Sequence, residues 1–205
     1  MRVSHVEFLV EEPSMEAFLR ALMPRCLPAG WTFEVHSFQG KGDLLGKLHA
    51  RLRAYAQWLP ASWRIVVLVD RDNDDCRLLK RRLESAAIAA GLHTRSTAAA
   101  DAWQVVNRMA IEELEAWYFG DWQAVVAAFP RASTAVAGKA AYRDPDAIRG
   151  GTWEAFERTM RQSGYFRTGL RKIEAATAIG AHLDPERNRS KSFARFRDAV
   201  TELGS

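Results

Sequence analysis

The sequence predicts an α/β fold: a parallel sheet flanked by helices, with a helical extension at its C-terminal end. Two observations predict it. Strand-like apolar runs alternate three times with amphipathic helical runs in the first half of the chain, which is the order of βαβ units. The third of those runs, Ile65-Val66-Val67-Leu68-Val69, is continuously apolar, as expected of a central parallel strand covered on both faces.

Taken in order, residues 3–10 form the first expected strand, which ends at Glu11-Glu12-Pro13-Ser14. Ser14 is a suitable N-cap for a helix carrying Met15, Phe18, Leu19 and Leu22, and Pro24 and Pro28 end it. Residues 31–38 alternate Trp31, Phe33 and Val35 with Thr32, Glu34 and His36, the period of a half-buried strand. A helix opens after Gly40, with Leu44, Leu45, Leu48, Leu52, Tyr55 and Leu59 as its apolar residues. The third strand runs straight into Asp70-Arg71-Asp72-Asn73-Asp74-Asp75. The helix behind it is expected to bury Leu78, Leu79, Leu83 and Ile88, to expose Arg77, Lys80, Arg81 and Arg82, and to stop at Gly91. Residues 104–110 read as a fourth strand, and Asp121 is placed to cap a helix over 122–129. Beyond Pro130 the pattern weakens, with helices expected over 152–161, 169–181 and 192–203. The resulting division is an α/β core over 1–130 and a basic helical extension over 131–205 packed beside it.

The chain has 205 residues, 48% hydrophobic and 26% charged, enough for one substantial core. No apolar run reaches the roughly 18 to 20 residues of a membrane span, and the first residues lack the apolar region of a secretory signal. A cytoplasmic location is therefore expected. Cys26 and Cys76 are too few for a disulfide framework or a four-ligand zinc site, and read as packing residues. The net charge of +4 is unevenly spread. Residues 1–148 carry 18 basic and 18 acidic side chains, whereas residues 149–197 carry 11 basic against 5 acidic. That excess, mostly arginine, suits contact with phosphate.

In an open parallel sheet the loops after the strand C-termini share one edge, and ligands bind there. Two such loops are acidic: the first strand delivers Glu11 and Glu12, the third Asp70 and Asp72. Two carboxylates ~4 Å apart repel by roughly 4 kcal/mol at an effective dielectric of 20, so gathering several calls for a cation. A hard divalent ion, Mg²⁺ or Mn²⁺, suits oxygen ligands. Asp74 and Asp75 read as caps of the next helix, and Lys41 as a phosphate contact near the same edge. The stretch from Gly40 to Leu48 lacks the first Gly and the Ser/Thr of a P-loop. Trp103, Trp117, Trp122 and Trp153 stand beside Leu and Phe at helical spacing and read as core rather than as base-stacking platforms.

A Glu after the first strand combined with Asp-x-Asp after a later apolar strand resembles the pattern of the Toprim superfamily. That superfamily supplies the metal-binding domain of primases, topoisomerases and overcoming-lysogenization-defect (OLD) nucleases. The matching residues are Glu11 in Phe8-Leu9-Val10-Glu11-Glu12-Pro13, and Asp70 and Asp72 in Val66-Val67-Leu68-Val69-Asp70-Arg71-Asp72. Toprim proteins usually follow that Glu with Gly; Glu12 stands there instead and alters the turn. Over nearly its whole length the chain also resembles a bacterial family, domain of unknown function 4276. The resembling stretches are residues 69–75, residues 108–119 (Arg-Met-Ala-Ile-Glu-Glu-Leu-Glu-Ala-Trp-Tyr-Phe) and residues 182–193 (His-Leu-Asp-Pro-Glu-Arg-Asn-Arg-Ser-Lys-Ser-Phe).

The resemblance implies a Toprim-like α/β sheet and Mg²⁺-dependent hydrolysis of phosphodiester bonds in DNA or RNA. Asp70 and Asp72 with Glu11 would hold the metal, or Glu11 would act as general base. Glu113 or Glu115 would stand for the further acids that OLD-type nucleases carry after the fourth strand. Lys191 is expected as a catalytic phosphate contact, and Arg187, Arg189 and Lys191 as nucleic-acid contacts. A separate ABC-type ATPase subunit and a role in phage defence follow by analogy, and a homodimer is among the assemblies allowed. Two readings compete: a non-catalytic module that binds nucleic acid or an ATPase, and a receiver-type signalling domain. Asp-x-Asp in place of Asp-x-x-Met-Pro, and the want of a clear fifth-strand Lys, stand against the receiver.

Overall fold

A computed structural model describes residues 3–98 and 102–203. Four strands, β1 (His5–Val10), β2 (Thr32–Ser37), β3 (Trp63–Asp70) and β4 (Val105–Ala110), form one sheet in the order β2-β1-β3-β4. Every pair is parallel. The fold is therefore α/β with a parallel sheet, and eight α-helices surround that sheet among the described residues. They are α1 (Pro13–Leu22), α2 (Lys41–Ala56), α3 (Cys76–Ala89), α4 (Glu115–Gly120), α5 (Trp122–Ala128), α6 (Thr152–Gln162), α7 (Lys172–His182) and α8 (Lys191–Glu202). No helix among the described residues is long and apolar enough to cross a membrane.

Alternation along each strand divides the interior into two cores. Val6, Phe8, Val10, Val66, Leu68 and Val106 face α1 and the helices from α4 onward. Leu9, Ile65, Val67, Val69 and Val105 face α2 and α3. The first core holds most of the aromatic mass, with Trp117 stacked on Phe196 at 5.2 Å between ring centroids. Trp103, Trp117 and Trp122 are buried, as their sequence setting suggested, whereas Trp153 is only half-buried, with Lys172 Nζ 6.0 Å from its ring centroid. The C-terminal helices belong to this core: α7 lies along α1, and α8 packs beside β4. The approach of α7 to α1 is close at Gly180, where an added Cβ would meet the Phe18 carbonyl oxygen at 2.8 Å.

Most local signals hold; the exceptions are at Ser14, on the buried face of α3, and at Asp74, which accepts from Lys41 instead of capping α3. Ser14 is not the N-cap of α1; Glu12 holds that position, Pro13 opens the helix, and the Ser14 hydroxyl donates to Glu12 Oε1 at 2.5 Å. A Pro at the first helical position needs no N–H partner, which moves the start two residues earlier. On α3 the buried stripe is Leu79, Leu83 and Ala87, spaced by four, while Leu78 and Ile88 are 60% and 51% exposed. Asp75 caps α3 by accepting from the Arg77 and Leu78 N–H groups, and Asp121 caps α5 by accepting from Ala124 N–H.

Candidate active site

Parallel pairing brings the ends of β1 and β3 side by side, and with them the acids that follow. Glu11 is the first residue after β1, and its Oε2 accepts the Asp70 backbone N–H at 3.1 Å. Asp70 is the last residue of β3 and is buried on the α1/α4 face; its Oδ1 has no hydrogen-bond partner among the described residues. Burial, then Glu11, Glu115, Glu12 and Asp72, push its carboxyl well above the ordinary aspartate range. Glu115 opens α4 and is 3% exposed. Burial is the main cause of its rise to about 7; Lys172 opposes it, and Glu113 and Glu12 add to it. Glu11 is likewise raised to about 7, chiefly by burial and then by Asp72 and Glu12, against the Asp70 N–H and Lys41. Four carboxylates from three separate segments thus add their negative charge to the effect of burial at Asp70.

Two lysines offset part of this charge. Lys41, the first residue of α2, donates through Nζ to Asp72 Oδ2 at 2.6 Å, Asp74 Oδ2 at 2.8 Å and the Arg71 carbonyl at 3.0 Å. Asp72 has φ +49°, a left-handed backbone that turns the loop after β3. Lys172, the first residue of α7, lies 3.4 Å from Glu12 Oε1. Burial lowers its pKa, but Glu115, Glu12, Glu113 and Asp70 outweigh that and hold it above the ordinary lysine value. Sequence reading missed Lys172 as a site residue. It stands 160 positions from Glu12, in a helix whose local pattern gives no sign of the acidic edge.

The remaining expected residues lie elsewhere. Glu113 turns to the start of α6, where its Oε2 accepts from Thr152 Oγ1 at 2.8 Å and Trp153 N–H at 2.9 Å. Glu112 pairs with Arg71. Arg187 spends its guanidinium on Asp121, donating from Nε at 2.6 Å and Nη2 at 2.8 Å to a carboxylate with no exposed surface. Arg189 is exposed, and its backbone N–H donates to the Gly120 carbonyl. Lys191 is 84% exposed with Asp144 at 3.6 Å, beside a groove on the outer side of β4. Asn188 Nδ2 donates to the Trp117 carbonyl and Trp117 Nε1 to Ser192 Oγ, both at 2.9 Å, so the stretches 108–119 and 182–193 pack on each other.

The donor set at Asp70 is all oxygen, the type that suits a hard divalent cation, and Oδ1 is a buried acceptor without a hydrogen-bond partner among the described residues. Among the described residues, however, no three His, Cys, Asp or Glu side chains converge as a metal-holding group. No curated protein and no solved structure matches the chain. A family model does, over residues 10–203, and on that match the chain belongs to the family described as a domain of unknown function, DUF4276.

Proposed function

We propose that the carboxylate cluster at the C-terminal edge of the sheet is a Toprim-like, OLD-related site that hydrolyses phosphodiester bonds in nucleic acid with Mg²⁺ or Mn²⁺. The single observation that supports it is Asp70 Oδ1, buried without a hydrogen-bond partner among Glu11, Glu12 and Glu115. A buried polar oxygen left unsatisfied costs about 1–3 kcal/mol, so its retention calls for a ligand. Asp70, Glu11 and Glu115 would hold the cation, which supplies Lewis-acid polarisation of the phosphate and charge neutralisation. Where Glu11 does not hold the cation, it would act instead as general base. Lys41, as its sequence position suggests, and Lys172, in the part expected of Lys191, would contact the phosphate oxygens. Asp72, held by Lys41 at 2.6 Å, would position that lysine. The same reading keeps the cytoplasm as its location and a separate ABC-type ATPase of phage defence as a partner.

Two observations favour a non-catalytic module instead: among the described residues the acids do not converge as a metal-holding group, and Lys41 and Lys172 already offset them. Thermal melting separates the two. Saturation at about 100 times Kd adds about 2.7 kcal/mol. The wild type should gain several degrees with Mn²⁺ or Mg²⁺, and Asp70→Asn should gain none while losing cleavage of a labelled oligonucleotide. A wild type unmoved by millimolar metal, or an Asn variant that responds equally, would overturn the hydrolytic reading.

A further inference from the structure

Away from the carboxylate edge, a concentration of positive charge lines the groove between α3, the outer side of β4 and α8. Its volume is about 790 Å³. Seven cations line it: Arg77, Lys80 and Arg81 from α3, Arg95 from the loop before β4, Arg108 from β4, and Lys191 and Arg195 from α8. Three acids line it too, Asp146, Asp198 and Glu202, which leaves a balance of 7 − 3 = +4. Those acids are already engaged. Glu202 pairs with Arg95, Asp198 with Arg197, and Asp146 accepts from Ser190 and from Ser192 Oγ and N–H. Arg77, Arg81 and Arg195 are exposed, and among the described residues their guanidinium groups make no ion pair. The cations also crowd one another. Burial lowers the pKa of Arg108 first and Arg95 and Arg195 lower it further; Lys80 is lowered by burial, then by Arg108 and Arg95.

A strand partner does not fit this edge. The Asn107 carbonyl on β4 is occupied by Lys80 Nζ and Arg108 Nη1, both at 3.0 Å, so two charged side chains block a fifth strand from pairing there. The apolar lining residues are Cys76, Met109 and Ile111, with no aromatic ring among them. Charge without stacking surface recognises a phosphate backbone and not bases.

We propose that this groove is a binding site for a nucleic-acid strand, held through its phosphates by Arg77, Arg81, Arg108, Lys191 and Arg195 without reading sequence. The groove extends toward the C-terminal end of β4. Ile111, in its lining, follows Ala110, the register partner of Asp70. A strand lying along α3 is thereby led past the end of β3. Only that last link rests on the hydrolytic reading; the binding itself requires nothing of Asp70.

The test is fluorescence anisotropy with labelled single-stranded DNA of mixed sequence and about twenty nucleotides, in EDTA so that no metal chemistry enters. Wild type should bind with a steep salt dependence, the slope of log K against log[salt] falling by about 0.7 for each phosphate contact removed. The triple variant Arg77→Ala/Arg81→Ala/Arg195→Ala should lose at least tenfold in affinity and flatten the slope by about two, with an unchanged melting temperature. Arg51→Ala/Arg53→Ala, two exposed arginines on α2, should leave binding as it was. No binding by wild type, an equal loss in the α2 variant, or binding of inorganic polyphosphate in place of the oligonucleotide would each overturn the proposal. Because EDTA removes the metal, this binding is read apart from chemistry; binding in EDTA followed by no cleavage once Mg²⁺ or Mn²⁺ is restored would count against the hydrolytic reading alone.

Discussion

Asp70 places a carboxylate among other carboxylates with one oxygen unsatisfied, and such a residue serves stability only when something is bound to it. In EDTA, Asp70→Asn should therefore raise the melting temperature by roughly 2–4 °C, the equivalent of about 1 kcal/mol for a chain of this size; a fall would show that Asp70 stabilises the empty fold. Glu7 on β1 is the opposite case. It is buried on the α2 side, with Tyr55 OH donating to Oε2 at 2.9 Å, His36 Nε2 2.7 Å from Oε2, and His5 Nε2 3.2 Å from Oε1; Arg51 lies over the Tyr55 ring. Burial pushes its carboxyl up, but the bonds from Tyr55, His36 and His5 outweigh that and hold it below 4.5. The folded state thus binds its proton less readily than the unfolded chain. The Glu7 contribution is full above the unfolded value and lost as pH falls through the folded one. Melting measured from about pH 6 down to about pH 3 should fall less steeply for Glu7→Gln than for wild type. Among site residues, Glu11 and Asp70 were legible because strand ends mark them. Lys172 was not, nor was the separate Glu7 cluster on the α2 side: their chemistry comes from partners far along the chain.

At the scale of elements, Gly180 sets how closely α7 approaches α1. Gly180→Ala forces a methyl group against the Phe18 carbonyl and to 3.1 Å from Ala21 Cβ. Overpacking of this kind costs about 1–3 kcal/mol. A urea titration should show a lower midpoint with unchanged slope; an unaltered midpoint would mean that the helices separate freely. All four strands were legible in sequence to within two residues at either end, because their apolar runs are long and their flanks polar. The face of α3 was less so. Leu78 and Ile88 are as apolar as Leu79 and Leu83, and only the packing of α3 on β3 and β4 decides which of them is covered. The start of α1 was misplaced because Ser14 is a good cap by type, while Pro13 settles the matter by geometry.

At the scale of the molecule, the second half of the chain completes the core of the first. Phe18, Leu19 and Leu22 of α1 share one cluster with Ala175, Ala176 and Ile179 of α7 and with Phe193 and Phe196 of α8. A chain cut after residue 130 would leave that cluster open, and it should bind the dye ANS and lack a cooperative melt; a sharp transition without dye binding would show an autonomous core. The sequence showed the C-terminal helices but not what they cover, since the weak pattern after Pro130 says nothing about contacts 150 residues upstream. One contact has consequences on another timescale. Asp121, with no exposed surface, depends on Arg187 for its countercharge, and the segments carrying them interlock through Asn188 and Trp117. A lineage that mutates either member first inherits an unpaired charge in its interior, so these positions can drift only in coupled steps. The two segments descend as one trait, and a chimera should accept them from a relative together and reject either alone.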